Sequence, residues 1–90
     1  MNRDDAQSIA ILALAYLARD TDRLERFTGW TGFAVDYLAQ AVANPDMLGG
    51  VLDYLLTDEA LLIEFVEDAG IAPEEPARAR QALPGYMPQM

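Results

Sequence analysis

The stretch LAYLARDTDRLERF at residues 14–27 is similar to a second stretch, LDYLLTDEALLIEF, at residues 52–65. They lie 38 positions apart, and an ungapped alignment of residues 14–41 with residues 52–79 gives ten identities in 28 positions. Composition alone would give roughly two or three matches, and a period of about 20–50 residues is typical of stacked supersecondary units. The sequence therefore predicts two copies of one structural unit.

The identical positions combine core, capping and glycine residues, which are the positions that define a helix, a tight corner and a second helix. They are Leu14/Leu52, Tyr16/Tyr54, Leu17/Leu55, Asp20/Asp58, Leu24/Leu62, Phe27/Phe65, Gly32/Gly70, Ala34/Ala72, Ala39/Ala77 and Ala41/Ala79. Such a unit cannot bury its apolar face alone, so we expect two copies to close one core. In that arrangement Tyr16 superposes on Tyr54, Phe27 superposes on Phe65, and both phenylalanines are buried.

The expected fold is therefore all-α: a compact bundle of five or six short helices in one domain, residues 1–90, with repeat units 4–43 and 44–83. Helix 1 is expected to start at Asp4, helix 2 near Asp20, helix 4 at Asn44, and helix 5 at Thr57 or Asp58. Gly32 and Gly70 are expected to end helices 2 and 5. A third helix should follow in each unit, at residues 34–43 and 73–83, and the tail 84–90 should be flexible.

Composition limits the function. The 90 residues include fifteen acids, six arginines and no lysine, which gives a net charge of −9, so nucleic acid and anionic lipid are repelled. The apolar run IAILALAYLA at residues 9–18 is too short to span a bilayer, which needs about 20 residues. The preceding segment MNRDDAQS lacks the positive charge of a signal peptide. We therefore expect a cytoplasmic protein that contacts neither membrane nor nucleic acid.

No catalytic constellation is visible. The chain has neither histidine nor cysteine, the single Ser and the four Thr have no Lys to activate them, and adjacent acids on a helix face apart. Asp53, Asp58 and Glu59 could collect a hard cation, but no loop spaces oxygen ligands as a calcium site needs, and helix capping accounts for Asp58. The sequence therefore predicts no catalytic residue, metal site or cofactor, and no enzyme.

The clearest differences between the two copies involve aromatic rings. In the repeat alignment Trp30 corresponds to Asp68 and Tyr37 to Glu75, so the unit itself does not require either ring. The rings could simply cover the small core. Alternatively they form an anchor for a partner, because Trp and Tyr are enriched at binding hot spots.

Arginine spacing adds a second feature to the first unit. Arg19, Arg23 and Arg26 follow i, i+4, i+7 spacing and are expected to share one face of helix 2. A solvated stripe paired with nearby acids or with the acidic second half is one interpretation, and an anion site is another. Attraction between this stripe and residues 44–90, whose net charge is −7, could also drive weak self-association.

Helix 5 contrasts with helix 2, because Leu61 and Ile63 replace Arg23 and Glu25 and make LLIEFV apolar on most sides. A helix of this kind is usually buried, which predicts a central strut. The alternative is a helix that exposes one apolar side to a partner.

The chain also resembles a family of alphaproteobacterial proteins known as domain of unknown function 3572. The resemblance rests on YLARD at residues 16–20, LERF at 24–27, TGF at 31–33, VLDYLLTDE at 51–59 and ALP at 82–84. It departs from the family at Thr21, where Pro is common, and in the tail after Gly85. The resemblance implies a bacterial cytoplasmic protein and supplies no activity or catalytic residues.

The sequence is therefore consistent with two functions. The favoured one is a non-catalytic protein–protein interaction or adaptor module with Trp30, Tyr37, Arg19, Arg23 and Arg26 at the partner-binding surface. The alternative is an enzyme, or a protein that binds a small ligand or anion, with its pocket between the two units.

Overall fold

The computed structural model describes residues 1–34, 36 and 38–85, and this part of the chain forms six α-helices and no strand. In chain order they are α1 (Arg3–Ala18), α2 (Thr21–Thr31), α3 (Leu38–Ala41), α4 (Pro45–Leu56), α5 (Glu59–Ala69) and α6 (Glu75–Ala82). The all-α fold class predicted from the sequence is confirmed.

Side-chain caps start three of the helices where the sequence predicts them. The Asp20 carboxylate accepts from the backbone N–H of Arg23 at 3.1 Å, and the Asp58 carboxylate accepts from Leu61 N–H at the same distance. Asn44 Oδ1 caps α4. Each cap satisfies an N–H group that has no partner within its own helix.

The predicted start of helix 1 is wrong, because its N-cap lies two residues before Asp4. Asn2, and not Asp4, is the N-cap, since its Oδ1 accepts from Asp5 N–H at 2.8 Å and α1 begins at Arg3. Asn and Asp are almost equally good caps, so the helix can start from Asn2 without a weaker cap. Asp4 and Asp5 instead occupy the first turn, where negative charge is favourable.

Gly32 and Gly70 end α2 and α5 as predicted. Their φ angles are 77° and 70°, in the left-handed region that glycine adopts without a steric penalty. Their backbone N–H groups donate to Thr28 O at 2.8 Å and Val66 O at 2.9 Å. This closes both helices and turns the chain at equivalent points of the repeat.

The third helix of each unit is shorter than expected. α3 has four residues and α6 has eight, where the sequence predicted helices at residues 34–43 and 73–83. α6 starts at Glu75, and its carboxylate accepts from Ala72 N–H at 2.7 Å, so a local side-chain bond holds the preceding turn outside the helix.

The core lies where α1, α4 and α6 meet, because these helices pack against one another most extensively. α1 supplies Leu17 and α4 supplies Leu48, Leu52 and Leu55, all fully buried. The predicted central position of helix 5 is wrong. α5 packs less extensively at the side of this core and leaves Ile63 44% exposed.

The aromatic rings of the two units contact each other reciprocally. Tyr16 of α1 packs on Phe65 of α5 with ring centroids 5.6 Å apart, and Tyr54 of α4 packs on Phe27 of α2 at 5.3 Å. Phe27 and Phe65 are 0% and 1% exposed, so their predicted burial is confirmed. Each tyrosine thus covers the phenylalanine of the other unit. Superposition of the two units stays a prediction.

Arg80 is the buried charged residue among those the structure describes, with 7% of its surface exposed. Its Nε donates to Asp53 of α4 at 2.5 Å and its Nη1 donates to Pro84 O at 3.2 Å. Gly49 makes room for it, since a Cβ there would lie 3.0 Å from Nη1 of Arg80. Pro84, expected in a flexible tail, is held by this contact. Residues 86–90 of that tail lie outside the described residues.

Replacing Phe27 or Phe65 by Ala is expected to lower the free energy of unfolding by about 3–5 kcal/mol, because each change opens a cavity in a small core. Urea denaturation of the two variants measures this loss. Leu12→Ala serves as the control, since Leu12 is exposed and should change stability by about 0.5 kcal/mol or less. Losses as small as the control's would show that neither ring belongs to the core.

Asp53→Ala is expected to cost about 2–3 kcal/mol, because it leaves a buried guanidinium without its carboxylate. This expected loss is smaller than is usual when one partner of a fully buried ion pair is removed, because the Asp53 side chain is 45% exposed. Arg80→Met should cost less, because it removes the charge and refills most of the volume. Chemical denaturation of both variants gives the order, and the reverse order would contradict this account.

Candidate partner-binding surface

The arginines grouped by the sequence do not share one helix face, which corrects the predicted stripe. Arg19 is the C-cap of α1, while Arg23 and Arg26 lie on α2 after the N-cap Asp20. The spacing i, i+4, i+7 assumes an unbroken helix, but Asp20 adopts an extended backbone conformation and interrupts it. Of the three side chains, Arg19 and Arg23 converge on one aromatic ring.

That ring is Tyr16, which lies at the C-terminal end of α1. The guanidinium carbon of Arg23 lies 4.0 Å from the ring centroid, and that of Arg19 lies 5.3 Å from it. Cations at these distances are attracted by the negative face of an aromatic ring. Because Phe65 also packs on Tyr16, the two arginines cover the edge of the core where α1 meets α5.

Arg19 also forms an ion pair with Asp68 of α5. The sequence interpretation in which the arginines pair with the acidic second half therefore holds for this residue. Both side chains are about half exposed, so the pair is screened and contributes little to stability. It does neutralise Arg19, which removes the free positive charge that an anion site would require.

Arg26 remains exposed and forms no ion pair within the described part of the chain. It lies four residues before Trp30 on α2, and residues at this spacing are neighbours on a helix surface. Arg26 and Trp30 thus form the accessible remainder of the predicted surface. Tyr37, its fifth predicted member, lies outside the described residues.

Trp30 projects from the last turn of α2 and is 55% exposed. One part of its indole packs on Tyr54, with ring centroids 5.5 Å apart and planes tilted by 58°. The ring therefore neither fills the core nor stands free in solvent. A partly supported aromatic ring of this kind has restricted motion and a large accessible apolar face, which are properties of interface anchors.

A cleft of about 410 Å³ separates α1 from α5 and lies between the two repeat units. Its walls are mainly apolar, and the ion-paired Arg19 and Asp68 are its charged residues. The lining consists of Leu12, Ala15, Tyr16, Arg19, Phe65, Asp68 and Ala69. The sequence allows for a pocket between the units but does not identify these residues. The position of the cleft depends on which face of α1 the other helices leave uncovered.

A second, smaller cleft of about 260 Å³ lies between α1 and α3. It is apolar throughout and shares Ala15 with the first cleft, so the outward face of α1 separates the two. Leu12 and Val42, about half exposed, border these clefts. The apolar run at residues 9–18 therefore has an exposed side, formed by Leu12, Ala15 and Ala18.

The described residues bring together no group of three or more acids that could hold a metal ion. Asp58 caps α5, as the sequence interpretation holds, and Asp53 binds Arg80. Both carboxylates thus have structural partners. No helix in the described ranges combines the length and apolar character that a membrane crossing requires.

Together these features of the described residues define an acidic, all-α bundle with an exposed tryptophan and an apolar cleft on either side of the outward face of α1. The chain belongs to the family described as protein of unknown function, DUF3572, and the match covers residues 3–86. The resemblance seen in the sequence is thereby confirmed at the level of the family. No curated protein and no solved structure matches the chain.

Arg23→Ala is expected to lower the free energy of unfolding by about 1 kcal/mol, because it removes the cation stacked on Tyr16. Arg26→Ala is the matched control, since it deletes the same charge from an exposed position on the same helix and should cost about 0.5 kcal/mol or less. Urea denaturation of both variants gives the difference. Equal losses would mean that the stacked geometry contributes nothing beyond net charge.

Proposed function

We propose that this chain is a non-catalytic protein–protein interaction module that binds a partner protein through a surface centred on Trp30. The observation that carries the proposal is the half-exposed indole, supported from one side by Tyr54. The corresponding position in the second unit holds Asp68, so the helix–corner–helix unit folds without a ring there. A side chain that the fold does not require is available for binding.

The neighbouring charges define the rest of the proposed surface. Arg26 is exposed beside Trp30 and offers a guanidinium for a carboxylate or carbonyl group of the partner. Arg19 and Arg23 contribute less directly, because they are held by Asp68 and Tyr16. In this proposal they fix the junction of α1, α2 and α5, and Trp30 and Arg26 contact the partner. Tyr37 belongs to the proposed surface by sequence alone.

The same proposal excludes nucleic acid and anionic membranes as partners, and it is supported by the net charge of −9. It places the module in the bacterial cytoplasm, as the family resemblance of the sequence implies. No cofactor or metal enters it. An adaptor of this kind acts by holding a partner and needs no reactive group.

A second candidate function rests on the cleft between α1 and α5. Its volume of about 410 Å³ falls in the range of small-molecule sites, which favours a ligand-binding protein or an enzyme. Such sites use convergent polar groups to orient a ligand. In this cleft Arg19 and Asp68 bind each other, so they are less available to a ligand. The interaction module is therefore the better-supported proposal.

Trp30→Ala tests the proposed function. The loss of one ring contact should cost about 1 kcal/mol of stability, whereas loss of an anchor should weaken capture of the partner about thirtyfold. The measurements are thermal unfolding and quantitative co-purification from the native host. Leu56→Ala is the matched control, because Leu56 is an exposed apolar residue that points away from Tyr54 on α4 and should leave capture unchanged.

Two outcomes would contradict this proposal. Unfolding of Trp30→Ala at ordinary temperature would assign the indole to the core. Equal capture by the wild type, Trp30→Ala and Arg26→Ala would show that the partner binds elsewhere.

A further inference from the structure

We propose that the cleft between α1 and α5 binds an aromatic side chain presented by a basic segment of another protein. This socket, lined by Tyr16, Phe65, Asp68 and their neighbours in the cleft, is formed by helices other than α2 and α4, which carry Trp30 and Tyr54. The inference does not depend on the proposed role of Trp30.

The aromatic preference follows from comparing the two copies of the repeat. On one side of the molecule four rings pack in series, with Phe33 on Phe27 at 5.9 Å, Phe27 on Tyr54 at 5.3 Å and Trp30 on Tyr54 at 5.5 Å. On the other side Phe65 packs on Tyr16 at 5.6 Å, but the residue aligned with Trp30 is Asp68. The second series thus has no ring at the position equivalent to Trp30, and the socket lies beside Tyr16 and Phe65 at that end of the series.

The socket offers suitable contacts to a ring supplied from outside. Leu12, Ala15 and Ala69 provide apolar walls, and the small exposed parts of Tyr16 and Phe65, 6% and 1% of their surfaces, lie at the base. The Arg19 guanidinium also borders the space, and planar cations stack favourably on aromatic faces. Because Asp68 binds Arg19, a neutral ring can enter without leaving an unpaired charge behind.

Charge complementarity identifies the segment that would carry the ring. α5 has four exposed acids, Glu59, Glu64, Glu67 and Asp68, and no base. Asp68 is paired with Arg19, so the three glutamates provide the net negative charge beside the socket. Glu64 is the acid next to the socket residue Tyr16, since its Oε2 accepts from the Tyr16 hydroxyl at 3.5 Å. A basic segment is attracted to this helix, whereas a second copy of this chain, with its net charge of −9, is repelled.

The test uses a defined probe, the acetylated and amidated peptide KKAWAKK, titrated into the full chain at about 50 mM salt, where charge attraction is weakly screened. Amide chemical shifts in a ¹H–¹⁵N spectrum report the site. We expect shifts at Leu12, Ala15 and Ala69, and saturable binding. The peptide KKAAAKK should bind about tenfold more weakly or worse, because the anchor ring is gone. The peptide EEAWAEE should not bind.

Two substitutions of Asp68 separate filling of the socket from loss of charge. Asp68→Trp places in the second series the ring that position 30 carries in the first, and should weaken KKAWAKK binding about tenfold or more. Asp68→Asn removes the same charge and ion pair without filling the space, and should change the affinity about threefold or less, as expected of an exposed charge. Ala15→Leu narrows the socket from the exposed side of α1 and should also weaken peptide binding. This variant replaces Asp68→Trp as the test if Asp68→Trp does not fold.

Several results would overturn this inference. Shifts centred on α2 would place the peptide at Trp30 instead. Equal affinities for KKAWAKK and free indole would make the socket a small-molecule site, and concentration-dependent shifts of the same amides without peptide would indicate self-association. Trp30→Ala should leave peptide affinity within about twofold, since additivity holds for independent sites, so failure of one proposal is distinguishable from failure of the other.

Discussion

The reciprocal contact between tyrosine and phenylalanine is the constraint on which the rest of the fold depends. Phe65 of the second unit packs on Tyr16 of the first, and Phe27 of the first packs on Tyr54 of the second. Neither unit therefore completes the environment of its own phenylalanine. A helix–corner–helix of this length has too little core to be stable alone, so the two units stabilise each other. The same packing brings α5 against α1, which creates the cleft, and supports Trp30 on Tyr54, which creates the exposed ring.

The features that follow from local chemistry could be predicted from the sequence. Asp20, Asp58 and Asn44 cap helices because their side-chain oxygens reach N–H groups within the same turn, and Gly32 and Gly70 end helices because of their own backbone freedom. The central packing was predicted wrongly because distant residues decide it, whereas the start of helix 1 was misplaced by a local choice between Asn2 and Asp4. The apolar α5 suggested a central helix, yet α6, of low apolar content, packs more closely on α1 and α4 through small residues and Arg80. The sequence gives no indication that Arg80 is buried, because only the folded chain brings Gly49 and Asp53 beside it.

The candidate surface was partly accessible to sequence reasoning for a related reason. The mismatch between Trp30 and Asp68 within the repeat singled out the indole, and a repeat allows one copy to serve as the reference for the other. The grouping of Arg19 with Arg23 and Arg26 failed because it treated the cap at Asp20 as part of a continuous helix. The clefts beside α1 could not be predicted, because they depend on how far the short helices α3 and α5 extend over it.

The contact between the first and last helices has a consequence for synthesis of the chain in the cell. α1 packs against α6 more extensively than against any other helix in the described part of the chain, and both contribute to one core. While a ribosome is still translating the middle of the chain, the apolar face of α1 has emerged without its main packing partner. At about 5–20 residues per second, this interval lasts several seconds. A nascent chain in this state exposes the surface that chaperones recognise, and the core closes only after α6 has left the ribosome.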